Sequence, residues 1–172
     1  MGFSMKTAMA SMVLLAVSAS AVAGQINFEG EILDSACSLG ASSVDQTISL
    51  GQTAKSVLAS GGKSPVTTFN IDLIGCSLSG LTDNTVTATF TGGGSQAVLG
   101  ALAVSGPSFD SFGIMLVDTS GTPIVLGTPT KTQVIQAGSN TLAFSAYLQS
   151  HATKAINPGA YTATTNFTLA YK

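Results

Sequence analysis

Tyr161-Thr162-Ala163-Thr164-Thr165-Asn166-Phe167-Thr168-Leu169-Ala170-Tyr171-Lys172 closes the chain. The run alternates almost without a break. Tyr161, Ala163, Thr165, Phe167, Leu169 and Tyr171 therefore share one face of a strand, and small polar residues occupy the other. The chain stops one residue later. A terminal strand that is apolar to its last turn is a hazard unless something pairs with it. Asn166-Phe167-Thr168 fits the glycosylation pattern, but it sits inside the alternation and reads as strand chemistry.

Working outward, strand signals dominate. Alternation recurs in Ile26-Asn27-Phe28-Glu29-Gly30-Glu31-Ile32, in Thr47-Ile48-Ser49-Leu50 and in Phe69-Asn70-Ile71-Asp72-Leu73. Thr85 to Phe90 is rich in β-branched residues, Phe112 to Val117 is a short apolar run, and Asp118-Thr119-Ser120-Gly121 ends it as a turn. Leu142, Phe144 and Tyr147-Leu148 mark a further strand, irregular after Ser145. Gly61-Gly62, Gly92-Gly93-Gly94, Gly106-Pro107, Gly138 and Pro158-Gly159 separate these runs. Short strands at this spacing predict an all-β sandwich or barrel.

Near the N-terminus, Ile26, Phe28, Gly30 and Ile32 fall on one face. A glycine within an apolar face weakens a strand unless another group must come close there.

The 172 residues suffice for one domain, and 45% of them are apolar, so a core can form. Charged residues make up only 8%, against roughly 25% in an average soluble protein. All six basic residues are Lys, and the net charge is −2. There is no basic stripe for nucleic acid and no Arg fork for phosphate or carboxylate. Such a surface suits a protein covered by copies of itself.

Residues 1–23 read as a secretory signal. Lys6 gives the positive start, Thr7 to Val17 the apolar stretch, and Ala21-Val22-Ala23 the cleavage pattern. Export places Cys37 and Cys76 in an oxidising compartment, where a disulfide is the default reading. The loop of about 40 residues would be worth roughly 4 kcal/mol on the chain-entropy model. Two Cys and one His do not make a four-ligand zinc site.

Catalytic motifs are weak. Gly62-Lys63-Ser64 lacks the earlier glycine of a phosphate loop, because that position is Val57. His151 stands between Ser150 and Ala152 with no nucleophile motif, and there is no G-x-S-x-G elbow. No enzyme activity, cofactor or metal is expected.

Residues 24–39, Gly-Gln-Ile-Asn-Phe-Glu-Gly-Glu-Ile-Leu-Asp-Ser-Ala-Cys-Ser-Leu, resemble the start of chaperone–usher pilins of the type 1 and P pilus kind. So does Val44 to Gly51. Phe69 to Cys76 is similar to the family's second-cysteine strand, and Phe112 to Asp118 to its central strand. The most specific part is the end, with Gly159 fourteenth from the terminus, Tyr171 penultimate and alternation between.

The resemblance implies an incomplete immunoglobulin-like sandwich that lacks its last strand and is completed by a donor strand from the neighbouring subunit. It implies a structural pilus subunit with no nucleic-acid or metal partner. Its partners would be identical or related pilins, a periplasmic chaperone and an outer-membrane usher. By position, 24–33 is the donor-strand extension, with Ile26, Phe28, Gly30 and Ile32 facing the groove, and 34–172 is the pilin domain. The groove edge and chaperone contact fall on Gly159, Tyr161, Ala163, Thr165, Phe167, Leu169, Tyr171 and Lys172. A minor adaptor or tip pilin is the alternative within the family. A self-sufficient secreted ligand-binding β-sandwich is the alternative outside it.

Overall fold

The computed structural model describes residues 24–32 and 34–172. The signal-like segment 1–23 lies outside the described residues. The chain divides between Ile32 and Leu33 into an N-terminal unit and a main unit. Gly24–Ile32 has no strand, and Ile26, Phe28 and Ile32 are exposed. Alternation there makes a strand possible but supplies no partner, and an extended segment without hydrogen bonds across to a neighbour is not a strand.

The main unit is two antiparallel sheets. One has the order β1-β2-β6-β4, from β1 (Ser38–Leu39), β2 (Thr67–Cys76), β4 (Phe112–Val117) and β6 (Gly138–Ser150). The other has the order β5-β3-β7, from β3 (Thr85–Thr91), β5 (Gln133–Val134) and β7 (Asn166–Tyr171). The described helical turns are short, Ala41–Val44 and Ala59–Gly61.

The sheets face each other through alternate side chains. Val86, Ala88 and Phe90 of β3 are buried, as are Ile71 and Leu73 of β2 and Leu142 and Phe144 of β6. Phe90 stands edge-on to Phe144 at 5.0 Å and to Phe69 at 6.3 Å, the geometry the ring quadrupoles favour.

Strand β4 is buried on both sides, which explains why its run reads as continuous rather than alternating. Phe112, Ile114 and Leu116 join the core. Met115 and Val117 instead pack with Tyr147 and Ala101 on the outer face. The Ser95–Ala103 loop covers that face, exchanging backbone hydrogen bonds between Leu102 and Ile114 at 2.8 and 3.0 Å. The loop comes so close that a Cβ on Gly113 would lie 2.7 Å from the Ala101 methyl. The same cover accounts for the apparent irregularity after Ser145. β6 runs on unbroken, with both faces buried from Phe144 to Leu148.

The turn after β4 forms as its sequence predicts. The Asp118 carboxylate accepts hydrogen bonds from the Ser120 hydroxyl (2.6 Å), the Thr122 N–H (2.8 Å) and the Ser120 N–H (2.9 Å), and it pairs with Lys131 at 3.2 Å. These donors, Ser120 first, hold the carboxyl well below the usual carboxylate range.

Two alternating runs differ from expectation. Thr47–Leu50 carries no strand, and only Asn166–Tyr171 of the terminal run is β-ladder. Both lie beside the same opening, where the described residues offer no strand to pair with.

Cys37 and Cys76 are bonded. The bridge joins the residue before β1 to the end of β2, beside the Ser38↔Ile74 pairing. Replacing both cysteines with Ser is expected to cost roughly 4 kcal/mol of stability, read as a lower urea midpoint. An unchanged midpoint would show that the loop is held by other contacts.

Candidate functional site

Among the described residues, strand β7 is paired on one side only. Its ladder with β3 runs from Val86↔Tyr171 to Thr91↔Asn166, and the exchange continues at Lys172 and Thr85 with bonds of 2.9 and 3.0 Å. Its other edge ends the sheet. Chain-upstream, Thr162 exchanges bonds of 2.8 and 3.0 Å with Ser105, again on one side. Residues 44–53 line the opposite rim, and their backbone makes no bond across the gap among the described residues.

Between these rims lies an open groove of about 1160 Å³. Its floor is the core itself. Phe69, Ile71, Ala146 and Leu148 come from one part of the sandwich, Phe112, Ile114 and Leu116 from β4, and Phe90 from the other sheet. Leu58, Leu102 and Ile156 close the remaining wall. The groove thus opens onto apolar side chains, and it is bordered by a chain edge that is unpaired among the described residues. Both features favour an incoming extended chain: its N–H and C=O groups can join the β7 edge, and its alternate side chains can fill the floor.

Of the residues expected on the groove edge, Gly159, Tyr161, Ala163, Thr165 and Phe167 line the groove, whereas Leu169, Tyr171 and Lys172 follow beyond it along β7. Tyr161, Ala163, Thr165, Phe167, Leu169 and Tyr171 are all half-buried, and the residues between them are exposed. They stop at half-buried because no strand covers their free side. Phe167 leans on Phe90 at 6.3 Å, and Tyr161 is edge-on to Phe112 at 5.3 Å. Burial pushes the phenols of Tyr161 and Tyr171 up, and a hydrogen bond with Ser35 partly offsets this for Tyr171. Gly159 packs on Pro107, where a Cβ would come within 2.7 Å of the ring.

The opposite rim and end wall were not foreseen as groove. Ile48 and Leu50 give a signal, because they alternate, but the alternation reads equally as a paired strand. Ile156 is one apolar residue in a polar loop and gives none. It is placed by hydrogen bonds: the Ser111 hydroxyl donates to the Ala155 carbonyl at 2.9 Å. The Ser108 hydroxyl accepts from the Asn157 N–H at 2.7 Å and donates to its carbonyl at 3.2 Å.

Two charged residues line the groove, Asp45 and Lys55. No group of side chains suited to a metal occurs among the described residues. The arrangement can bind a strand. It does not assemble an acid, a base and a nucleophile.

Phe167→Asp combined with Tyr171→Asp is expected to prevent accumulation of folded protein, since each places a charge against the core. Thr168→Asp, on the exposed face of β7, is expected to be tolerated within about 0.5 kcal/mol. Equal levels of all variants on a blot of soluble protein would contradict the assignment of faces.

The model of the family described as "Fimbrial protein" matches residues 26–172. The fimbria A protein of Serratia marcescens is 41% identical over 150 residues, covering 87% of this chain and 84% of that one. The major MR/P fimbria protein of Proteus mirabilis is 38% identical over the same shares. Among solved structures, the P pilus rod subunit PapA is 28% identical. It aligns with a TM-score of 0.71 over 80% of this chain and all of its own. A chaperone–usher pilus subunit, also 28% identical, aligns at 0.79 over 91% of this chain and all of its own.

Proposed function

The chain belongs to the fimbrial protein family and is a structural pilin, and we propose that it polymerises by donor-strand exchange through the groove between residues 157–167, which lead into β7, and residues 44–53. Residues 24–33 are the donor arm, and 34–172 are the accepting domain. The open groove with its unpaired β7 edge carries the reading. In the periplasm a chaperone strand fills the groove. At an outer-membrane usher, the arm of the next subunit replaces it. Fimbriae are surface fibres, and residues 1–23 act as the export signal that starts this route.

Length and pattern support the arm. From Ile26 to Ile32 is six residue steps, about 20 Å when extended. From Tyr161 to Phe167, along the groove edge, is the same six steps. Ile26, Phe28 and Ile32 are 77%, 90% and 101% exposed, so three large apolar side chains await cover. Filling the groove with them removes apolar surface on both partners from water, at roughly 25 cal/mol per Å². It also pairs the free edge of β7. The arm has one gap in its apolar face, at Gly30, and in the free chain a Cβ there meets nothing within 4 Å.

A place in the shaft is supported by the low charge of the surface and by the relatives, whose names include a major fimbria protein and a rod subunit.

Gly30→Lys tests the reading. It leaves the domain untouched but puts a long charged side chain into the neighbour's groove, where overpacking costs about 1–3 kcal/mol and desolvation adds to it. The expected result is a normal periplasmic level of subunit with few or no surface fibres by electron microscopy. Wild-type fibres from the variant would show that this segment is not the donor strand.

A further inference from the structure

The two charged groups on the groove lie at opposite ends. Lys55 precedes Leu58 by one turn, the Leu58 N–H donating to the Lys55 carbonyl at 3.2 Å. The Leu58 carbonyl in turn accepts the hydroxyl of Ser150, which is paired with Phe112. Phe112 stacks edge-on with Tyr161. Lys55 is therefore at the Tyr161 end. Asp45 is next to Gln46, whose side-chain amide donates to the Asn70 carbonyl at 2.8 Å. Asn70 neighbours Phe69, which pairs with Phe144. Phe144 and Phe90 are in contact, and Phe90 pairs with Phe167. Asp45 is therefore at the Phe167 end.

Lys55 is exposed and makes no ion pair among the described residues, whereas Lys131 and Lys154 are engaged by Asp118 and Asp110. The outward face of the arm is just as uneven. Gln25 and Asn27 are neutral, and Glu29 and Glu31 carry its charge at the C-terminal half.

We infer that Lys55 of one subunit pairs with Glu29 and Glu31 on the arm of the next, making Lys55 a specificity-determining residue for polymerisation. The inference rests on the groove reading above. It commits the groove to a second copy of this chain and gives the charges a job that the apolar floor cannot do. Apolar pockets alone accept a strand in either direction. Charge does not. With the acids at the Lys55 end and the neutral half at the Asp45 end, attraction and avoided repulsion act together. The reverse placement sets two glutamates beside Asp45 and leaves Lys55 alone. The groove edge runs from Tyr161 at the Lys55 end to Phe167, near the start of β7, at the Asp45 end, so the favoured arm lies antiparallel to that edge, its ladder continuing the sheet. Rim charges of this kind act mainly on the rate and selectivity of encounter.

A charge swap reads this out in the full chain, exported by cells that assemble its fibres. Lys55→Glu and the arm pair Glu29→Lys with Glu31→Lys are each expected to lower surface fibres about fivefold at equal subunit level, as removed and reversed rim charges do. Combining them is expected to restore fibres to near the wild-type amount. Should Lys55→Glu lower the subunit level itself, the arm pair, outside the accepting domain, carries the test. Fibres unchanged by the arm pair, or no recovery in the combined variant, would overturn the pairing. Gly30→Lys in the same assay separates the two ideas: where the charge swap fails, loss of fibres in Gly30→Lys keeps the groove reading and only the charge inference falls. Wild-type fibres there remove both.

Discussion

An unpaired strand edge over an open core is the constraint on which this molecule is built. Each N–H and C=O along the free side of β7 must find a partner or stay in water. The groove floor beside it is apolar, so water is a poor solution for one and an adequate one for the other. A strand satisfies both at once. The same constraint explains why the terminal face is half-buried rather than buried, and why Thr47–Leu50 keeps its alternation but has no ladder. Both rims have the sequence of strands and lack the strand between them.

The rims are kept open without charge. The described buried polar residues are all serines: Ser43, Ser64, Ser108, Ser111, Ser145 and Ser150. Ser150 holds Leu58, Ser108 and Ser111 hold the Ala155–Asn157 segment, and the Ser43 hydroxyl accepts from the Asp72 N–H at 2.8 Å. No buried side-chain polar atom among the described residues lacks a partner. A hydroxyl that bonds backbone fixes a loop at little desolvation cost. This lets a protein with few charges hold a groove in shape before anything fills it.

Much of this was legible in the sequence. The alternation from Tyr161 to Tyr171 maps onto one half-buried face, because strand geometry assigns position to face with a period of two, and Tyr161, Ala163, Thr165 and Phe167 of that face line the groove. Cys37 and Cys76 gave the bridge, and the resemblance gave the missing strand. What could not be read was pairing. Alternation says which side chains share a face, not whether a neighbour exists, so Ile26–Ile32 and Thr47–Leu50 look the same as Phe69–Leu73, although only the last is in a ladder. The end wall was equally hidden. Leu58, Leu102 and Ile156 reach the groove from loops, placed by hydrogen bonds to residues far along the chain. The position of Lys55 opposite Asp45 follows from those loops and from no local pattern.

The most direct test of the account is a cryo-electron-microscopy reconstruction of the assembled fibre at side-chain detail. The account predicts that residues 26–32 of each subunit lie along the free edge of the neighbour's residues 161–167, at the start of β7, with Ile26, Phe28 and Ile32 turned onto the floor of Phe69, Phe90 and Leu148. A fibre in which that groove stays open, or is filled by the subunit's own arm while neighbours touch through outer faces alone, would contradict it.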